Sequence, residues 1–284
     1  VAGTSEAASP APFGGPHLTG TPTFRSGIVD AWAATGRRPP RGAAARVNAW
    51  SLTARAYEPL WRRRSLALLT WGAFGTEREL TALRAWLDPL GGTAALDVGC
   101  SAGLYARTLA AAGARVHALD ASAAFLAEAR RRAEVDGVEL TLVRADAHAL
   151  PYRDGGFDRV AVGATLNELA DPASAVAEIG RVLRPGGRAW FMYVRRAAPL
   201  GRPLQALLGL GGLRFPEPKE LDAWAAAAGL HAIRSEQRGP VVLALYGRGS
   251  GAPPVAASSL SLGWAGLPSR RRARRDDRRR PGRG

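Results

Sequence analysis

The sequence predicts an α/β protein in which helices flank a sheet, and three observations predict it. The stretch LDVGCSAGLYARTLA, Leu96 to Ala110, passes from a short apolar run through a glycine-rich turn into a helical pattern. Strand-like runs then alternate with helical ones as far as Val194, the order expected of β-α-β units. Acids recur where those strands end: Asp97, Asp120 and Asp146. In open α/β sheets that is the edge where ligands bind.

Each element follows from its residues. After Asp120, ASAAFLAEARRRA reads as a helix opening at Ser122, with Phe125, Leu126 and Ala129 on one face. Residues Glu139 to Asp146 alternate as a strand. GGFDRVAVGATLNEL gives a turn, a strand from Phe157 to Val162 and a loop. DPASAVAEIGRVLRPGGRAWFMYV gives a helix, a turn at Pro185-Gly186-Gly187 and a further strand. An apolar, glycine-rich insertion over 197–216 precedes a helix from Pro218 to Ala228. Strands around His231 to Glu236 and Val241 to Tyr246 close the sheet as a hairpin, and the domain ends near Arg248. Ahead of Leu96, VNAWSLTARAYEPLWRRRSLALLT and TERELTALRAWLDPL have helical spacing, with Leu80, Leu83, Trp86 and Leu87 on one face of the latter.

The turn Gly99-Cys100-Ser101-Ala102-Gly103 lets backbone approach a ligand, and Asp120 stands where an acid can take a ribose diol. This is a nucleoside cradle. A dinucleotide site would need G-x-G-x-x-G to seat its pyrophosphate on the helix N-terminus. Here the spacing is D-x-G-x-S-x-G with no third glycine in place, and Asp97 would repel an anion. An ammonium or a sulfonium suits it.

The motif resembles the first motif of class I S-adenosylmethionine-dependent methyltransferases, D/E-x-G-x-G-x-G, with Ser101 in place of the middle glycine. The run R-V-L-R-P-G-G resembles the late motif of quinone-biosynthesis and related small-molecule methyltransferases. The resemblance covers Leu96 to Val194. It implies a three-layer Rossmann-like fold: a seven-stranded sheet with helices on both faces and an N-terminal helical lid, to which Tyr57 and Trp61 would contribute. It also implies S-adenosylmethionine as cofactor and no metal. Asp97 with the Gly99, Ser101 and Gly103 backbone would hold the methionine end, and Asp120 with Ala121 the ribose. Asp146 and Ala147 would hold adenine, and Gly163 and Ala164 would line the methyl-transfer channel.

No catalytic base is assigned. Asn167 stands where many relatives have histidine, and an amide is no base near neutral pH. Glu168 reads as solvated or as a cap of the following helix. His148 reads as a surface side chain, and Tyr193 could face either acceptor or core. Cys100 reads as a small buried side chain. The absence of N-P-P-Y/F after the fourth strand argues against methylation of adenine N6, cytosine N4 or glutamine.

Four segments are expected: a disordered extension over 1–46, a helical lid segment over 47–93, the cofactor domain over 94–248 and a disordered tail over 249–284. The formal net charge of +15 sits largely at the ends, and only Lys219 among the 39 basic residues is lysine. The tail carries nine arginines against Asp276 and Asp277, and their run from Arg270 to Arg283 has no interleaved aromatic to stack on a base. It reads as a solvated tail, and nucleic acid is a partner only through it. The leucine-rich insertion favours a small, apolar acceptor; nucleic-acid methylation and a non-catalytic binding module are the alternatives. No apolar run reaches the ~20 residues of a membrane span, and the first residues lack a secretory pattern. A cytoplasmic enzyme is expected.

Overall fold

A computed structural model describes residues 18–19, 21–32, 74–197 and 202–249. The expected lid residues Tyr57 and Trp61 and the arginine-rich tail lie outside them.

The described chain begins with strands β1 (Thr23–Arg25) and β2 (Ile28–Asp30), followed by helix α1 (Thr76–Leu87). The central units are β3 (Ala94–Val98), α2 (Leu104–Ala111), β4 (Arg115–Asp120), α3 (Ala123–Asp136) and β5 (Thr141–Arg144). Next come β6 (Phe157–Val162), a 3-10 turn (Ala164–Asn167), α4 (Pro172–Val182) and β7 (Leu183–Val194). The chain then forms α5 (Arg202–Leu210), α6 (Pro218–Ala227), β8 (Leu230–Arg238) and β9 (Val241–Arg248).

These strands form one sheet in the order β1-β2-β5-β4-β3-β6-β7-β9-β8. The pairings from β2 through β7 are parallel, and β9 enters antiparallel between β7 and β8. The order reverses at β3, so a crevice opens beyond the carboxyl ends of β3 and β6.

The sheet has nine strands, not seven, because the N-terminal segment adds two. This corrects the expectation of an unstructured 1–46. Ser26 and Gly27 take φ of 49° and 72°, the left-handed pair of a tight hairpin turn. Ile28 and Val29 are buried as β2 pairs with β5. Strands of three residues are too short to show a period in sequence. Only the open edge of β5 makes their burial possible.

Alternation along the strands loads both faces. Leu96, Val98, Val160, Val162, Phe191 and Tyr193 share one core with α4 and α6. Ala95, Ala118, Ala161, Trp190 and Met192 share the other with α1, α2 and α3. Parallel strands buried on both sides read as near-continuous apolar runs, as these do.

Helix ends match the local chemistry. Ser122 Oγ accepts the Phe125 amide at 3.3 Å, and Gly137 closes α3 at φ 66°. Asp171 caps α4 ahead of Pro172, so Glu168 is not that helix's cap. The Pro185-Gly186-Gly187 turn is absorbed into β7 as an irregularity: pairing with β6 shifts register between Phe157 and Arg159. Among the described residues, no helix is long and apolar enough to cross a membrane.

Candidate functional site

The cleft lies at the switch point. Its walls are Asp97, Gly99, Cys100, Ser101, Ala102, Leu104, Tyr105, Gly163, Ala164, Thr165 and Glu168, and it spans about 450 Å³ including its open mouth.

Asp97 is 2% exposed. Its register partners, Ala118 on β4 and Ala161 on β6, are small, which leaves space for a carboxylate on that face of the sheet. Its Oδ2 accepts the Ala106 amide at 2.9 Å. Helix α2 has no side-chain cap at Gly103, so Asp97 satisfies one of its amides from the strand. The acid therefore fixes the helix N-terminus against the cleft as well as charging its wall.

The turn is strained. Gly99, Ser101 and Gly103 take φ of 68°, 49° and 78°. Serine in that region carries a steric penalty glycine avoids, which explains why glycine is the commoner residue at position 101 of the motif. The Ser101 amide donates to Asp120 Oδ2 at 2.9 Å, and the Ser122 amide to Oδ1 at 2.8 Å. The carboxylate keeps acceptor capacity for a hydroxyl. Burial raises the Asp120 carboxyl above its ordinary range, against the pull of these amides.

Two glycines serve protein contacts. A Cβ on Gly103 would stand 3.1 Å from Ala129 of α3. One on Gly99 would stand 2.2 Å from Thr165, whose hydroxyl donates to the Gly99 carbonyl at 2.9 Å. Tyr105 lies against Gly163 and donates its hydroxyl to buried Glu79 of α1.

Of the predicted residues, Asp97, Gly99, Ser101, Gly163 and Ala164 meet in the cleft. Gly103 stands behind the turn. Asp120 ends β4 and Ala121 follows it, while Asp146 and Ala147 follow β5; all four lie farther along the carboxyl edge and do not line the cleft. Asp146 Oδ1 accepts from the His148 amide at 2.9 Å and lies 2.6 Å from the His148 ring. His148 is thus part of the loop's own structure, not a solvated surface histidine.

Asn167 is a staple. Its Nδ2 donates to Val194 O at 2.7 Å and to Arg214 O at 2.6 Å, while its Oδ1 accepts the Val194 amide at 2.9 Å. The side chain joins the cleft wall to both ends of the segment carrying α5. Tyr193 is in the core at 0% exposure. Burial, then nearby Asp120 and Asp97, pushes the Cys100 thiol up, so it stays protonated and unreactive.

Glu168 projects at the cleft mouth, and its side chain still reaches solvent. The surrounding protein, and then the charge of Asp120, push its carboxyl up to about 7. Among the described residues, the cleft wall holds Asp97 and Glu168 and no arginine or lysine. A cationic ligand with a nucleoside end fits that donor set, and an anionic one does not. Tyr105, Thr165 and Glu168 were not predicted as site residues. Tyr105 follows the turn directly on α2, while only the pairing of β3 with β6 brings Thr165 and Glu168 to it.

Comparison with known proteins agrees with this geometry. The profile of the family described as "Methyltransferase domain" matches residues 96–191. A chloroplastic methyltransferase of Arabidopsis thaliana is 32% identical over 206 residues, covering 66% of this chain and 56% of that one. The chain thus spans little more than half the length of that relative. The ubiquinone biosynthesis O-methyltransferase of Thiobacillus denitrificans is 35% identical over 170 residues, covering 54% of this chain and 72% of that one. The [4+2]-cyclase SpnF superposes with a TM-score of 0.55 at 22% identity, covering 62% of this chain and 82% of that chain. That likeness shows the fold alone, which also carries chemistry other than methyl transfer. The family match, the relatives and the acid-lined switch-point cleft together place the chain in the class I S-adenosylmethionine-dependent methyltransferase family, whose methyl donor is S-adenosylmethionine.

Proposed function

We propose that this protein transfers the methyl group of S-adenosylmethionine to a small, apolar acceptor. The carrying observation is a cleft in which the described residues place Asp97 and Glu168 and no basic side chain, in a chain of net charge +15. The donor supplies a methyl group on a positive sulfonium, and the acceptor's O, N or C takes it by in-line displacement. Gly99, Ser101 and Asp97 hold the methionine end, and Gly163 and Ala164 flank the transfer path. Asp120 with Ala121 takes the ribose hydroxyls, and Asp146 with Ala147 takes adenine. Alignment of two reactants in a dry site supplies much of the acceleration, so no dedicated base is required for an acceptor already nucleophilic.

The acceptor's character is supported by α5. Its Leu204, Leu207 and Leu210 are exposed beside the segment that Asn167 staples to the cleft wall. The relative from Thiobacillus denitrificans is named a ubiquinone biosynthesis O-methyltransferase.

The test is methyl transfer from labelled S-adenosylmethionine into fractionated metabolite extracts, with purified full chain and a variant lacking 249–284. Label in an organic-soluble product, equal for both proteins, is expected. Label only in RNA or DNA, lost with the tail and at raised salt, would sink the proposal. Calorimetry adds a binding readout: Asp120→Ala should weaken the donor at least tenfold.

A further inference from the structure

The acids around the cleft differ in how they are held. Asp97 on β3 gives Oδ2 to the Ala106 amide. Asp120 at the end of β4 gives its two oxygens to the Ser101 and Ser122 amides. Glu79 on α1 receives the Tyr105 hydroxyl. Glu168 is the exception: among the described residues its carboxylate has no hydrogen-bond or ion-pair partner, although it lines the cleft. The Arg195 guanidinium is committed elsewhere. Arg195, at the end of β7, bonds Gln237 and Glu217, and Arg214 meets the 3-10 turn through its backbone. Cys100 faces the same space as a neutral thiol.

An acid at the mouth of a ligand cleft that no described side chain neutralises is available to a cationic ligand. Resting on the cofactor reading above, we propose that Glu168 is the residue by which the cleft distinguishes the charged methyl donor from the neutral thioether left after transfer. Transfer forms a bond from the acceptor's nucleophile to the methyl carbon. The carbon–sulfur bond breaks with its electron pair remaining on sulfur, and any acceptor proton passes to water. The positive charge opposite Glu168 disappears in that step. Attraction that helps load the donor is then absent from the product, which leaves more readily.

The carboxyl's rise to about 7 gives the effect a pH signature. Glu168 supplies its charge above that pH and loses it below, so donor affinity rises between pH 6 and pH 8. Donor binding near pH 7 releases protons. Donor and product share their amino, carboxylate and nucleoside groups, so the ratio of their affinities isolates the sulfonium.

The experiment is calorimetric titration of the full chain with S-adenosylmethionine and S-adenosylhomocysteine at pH 6 and pH 8, repeated with Glu168→Gln. In the native protein the donor-to-product affinity ratio should rise about fivefold from pH 6 to pH 8, the scale of a solvent-screened charge pair. In Glu168→Gln the rise should vanish while product affinity stays within about twofold, which a merely structural role would not produce. A flat ratio in the native protein, or a rise that survives the substitution, overturns the proposal and leaves the cofactor reading standing. Failure of both ligands to bind overturns both.

Discussion

Thr165 lies across Gly99: its hydroxyl donates to the Gly99 carbonyl at 2.9 Å, and its side chain fills the space a Cβ at 99 would need. This contact ties the turn after β3 to the turn after β6, the two walls of the cleft. Two segments separated by 66 positions are thereby locked in register at the site.

Gly99→Ala is expected to destabilise the protein by about 3 kcal/mol, combining the left-handed backbone penalty with overpacking. Adding Thr165→Ala should recover the packing share and leave the backbone share. Denaturant titration of the three proteins checks this. Full recovery in the double variant would mean that backbone conformation contributes nothing at position 99.

Asn167 supplies two donors to carbonyls and one acceptor to an amide, all from buried surroundings at 4% exposure. Asn167→Asp keeps the shape and the acceptor but turns the donors into an acceptor facing two carbonyls. A loss of about 3 kcal/mol is expected, with faster amide exchange at Val194 and Arg214. Wild-type stability in the aspartate variant would refute the staple.

His117 packs edge-on against Tyr152 and Phe157, with centroids at 5.5 and 5.6 Å. Burial, then Arg115, lowers its pKa from 6.5 to about 4. The unfolded chain binds this proton first as pH falls. The stabilisation is therefore whole above about pH 6.5 and is lost progressively toward pH 4, to a total of about 3 kcal/mol. His117→Phe should flatten the stability profile between pH 6.5 and 4. An unchanged slope in chemical denaturation would exclude the histidine as its source.

Arg181, in the R-V-L-R-P-G-G run, holds the loop after β5. It donates to the carbonyls of Leu150 and Tyr152 and pairs with Glu178 and Asp154. Glu178 in turn accepts the Leu150 amide at 2.7 Å. Arg181→Lys cannot reproduce this fork of donors. It should cost about 2 kcal/mol and weaken donor binding through the loop that carries Asp146. Binding and melting temperature both at native levels would contradict this.

The strand-turn-helix at Leu96 to Ala110 is legible because its signals are local: an apolar run, left-handed glycines and a helical face. The α3 cap at Ser122, the strand from Phe157 to Val162 and the closing β8-β9 hairpin are legible for the same reason. The β1-β2 ribbon is not, since three-residue strands carry no period and gain burial only from the edge of β5. Asn167 and Glu168 are adjacent polar residues in one loop, and nothing local separates their roles. One turns inward to backbone groups 27 and 47 positions away, while the other turns to the cleft.

By itself the sequence determined the order of elements from Leu96 onward, the glycine turn and its cationic preference, because backbone conformation and charge sign are written in neighbouring residues; the cofactor came from the resemblance those motifs carry. The tertiary structure alone decided that Thr165 covers Gly99, that Asn167 is spent on backbone, and that Glu168 faces the cleft with no partner among the described residues. Those facts depend on which strands lie side by side, and only burial of the whole sheet fixes that order.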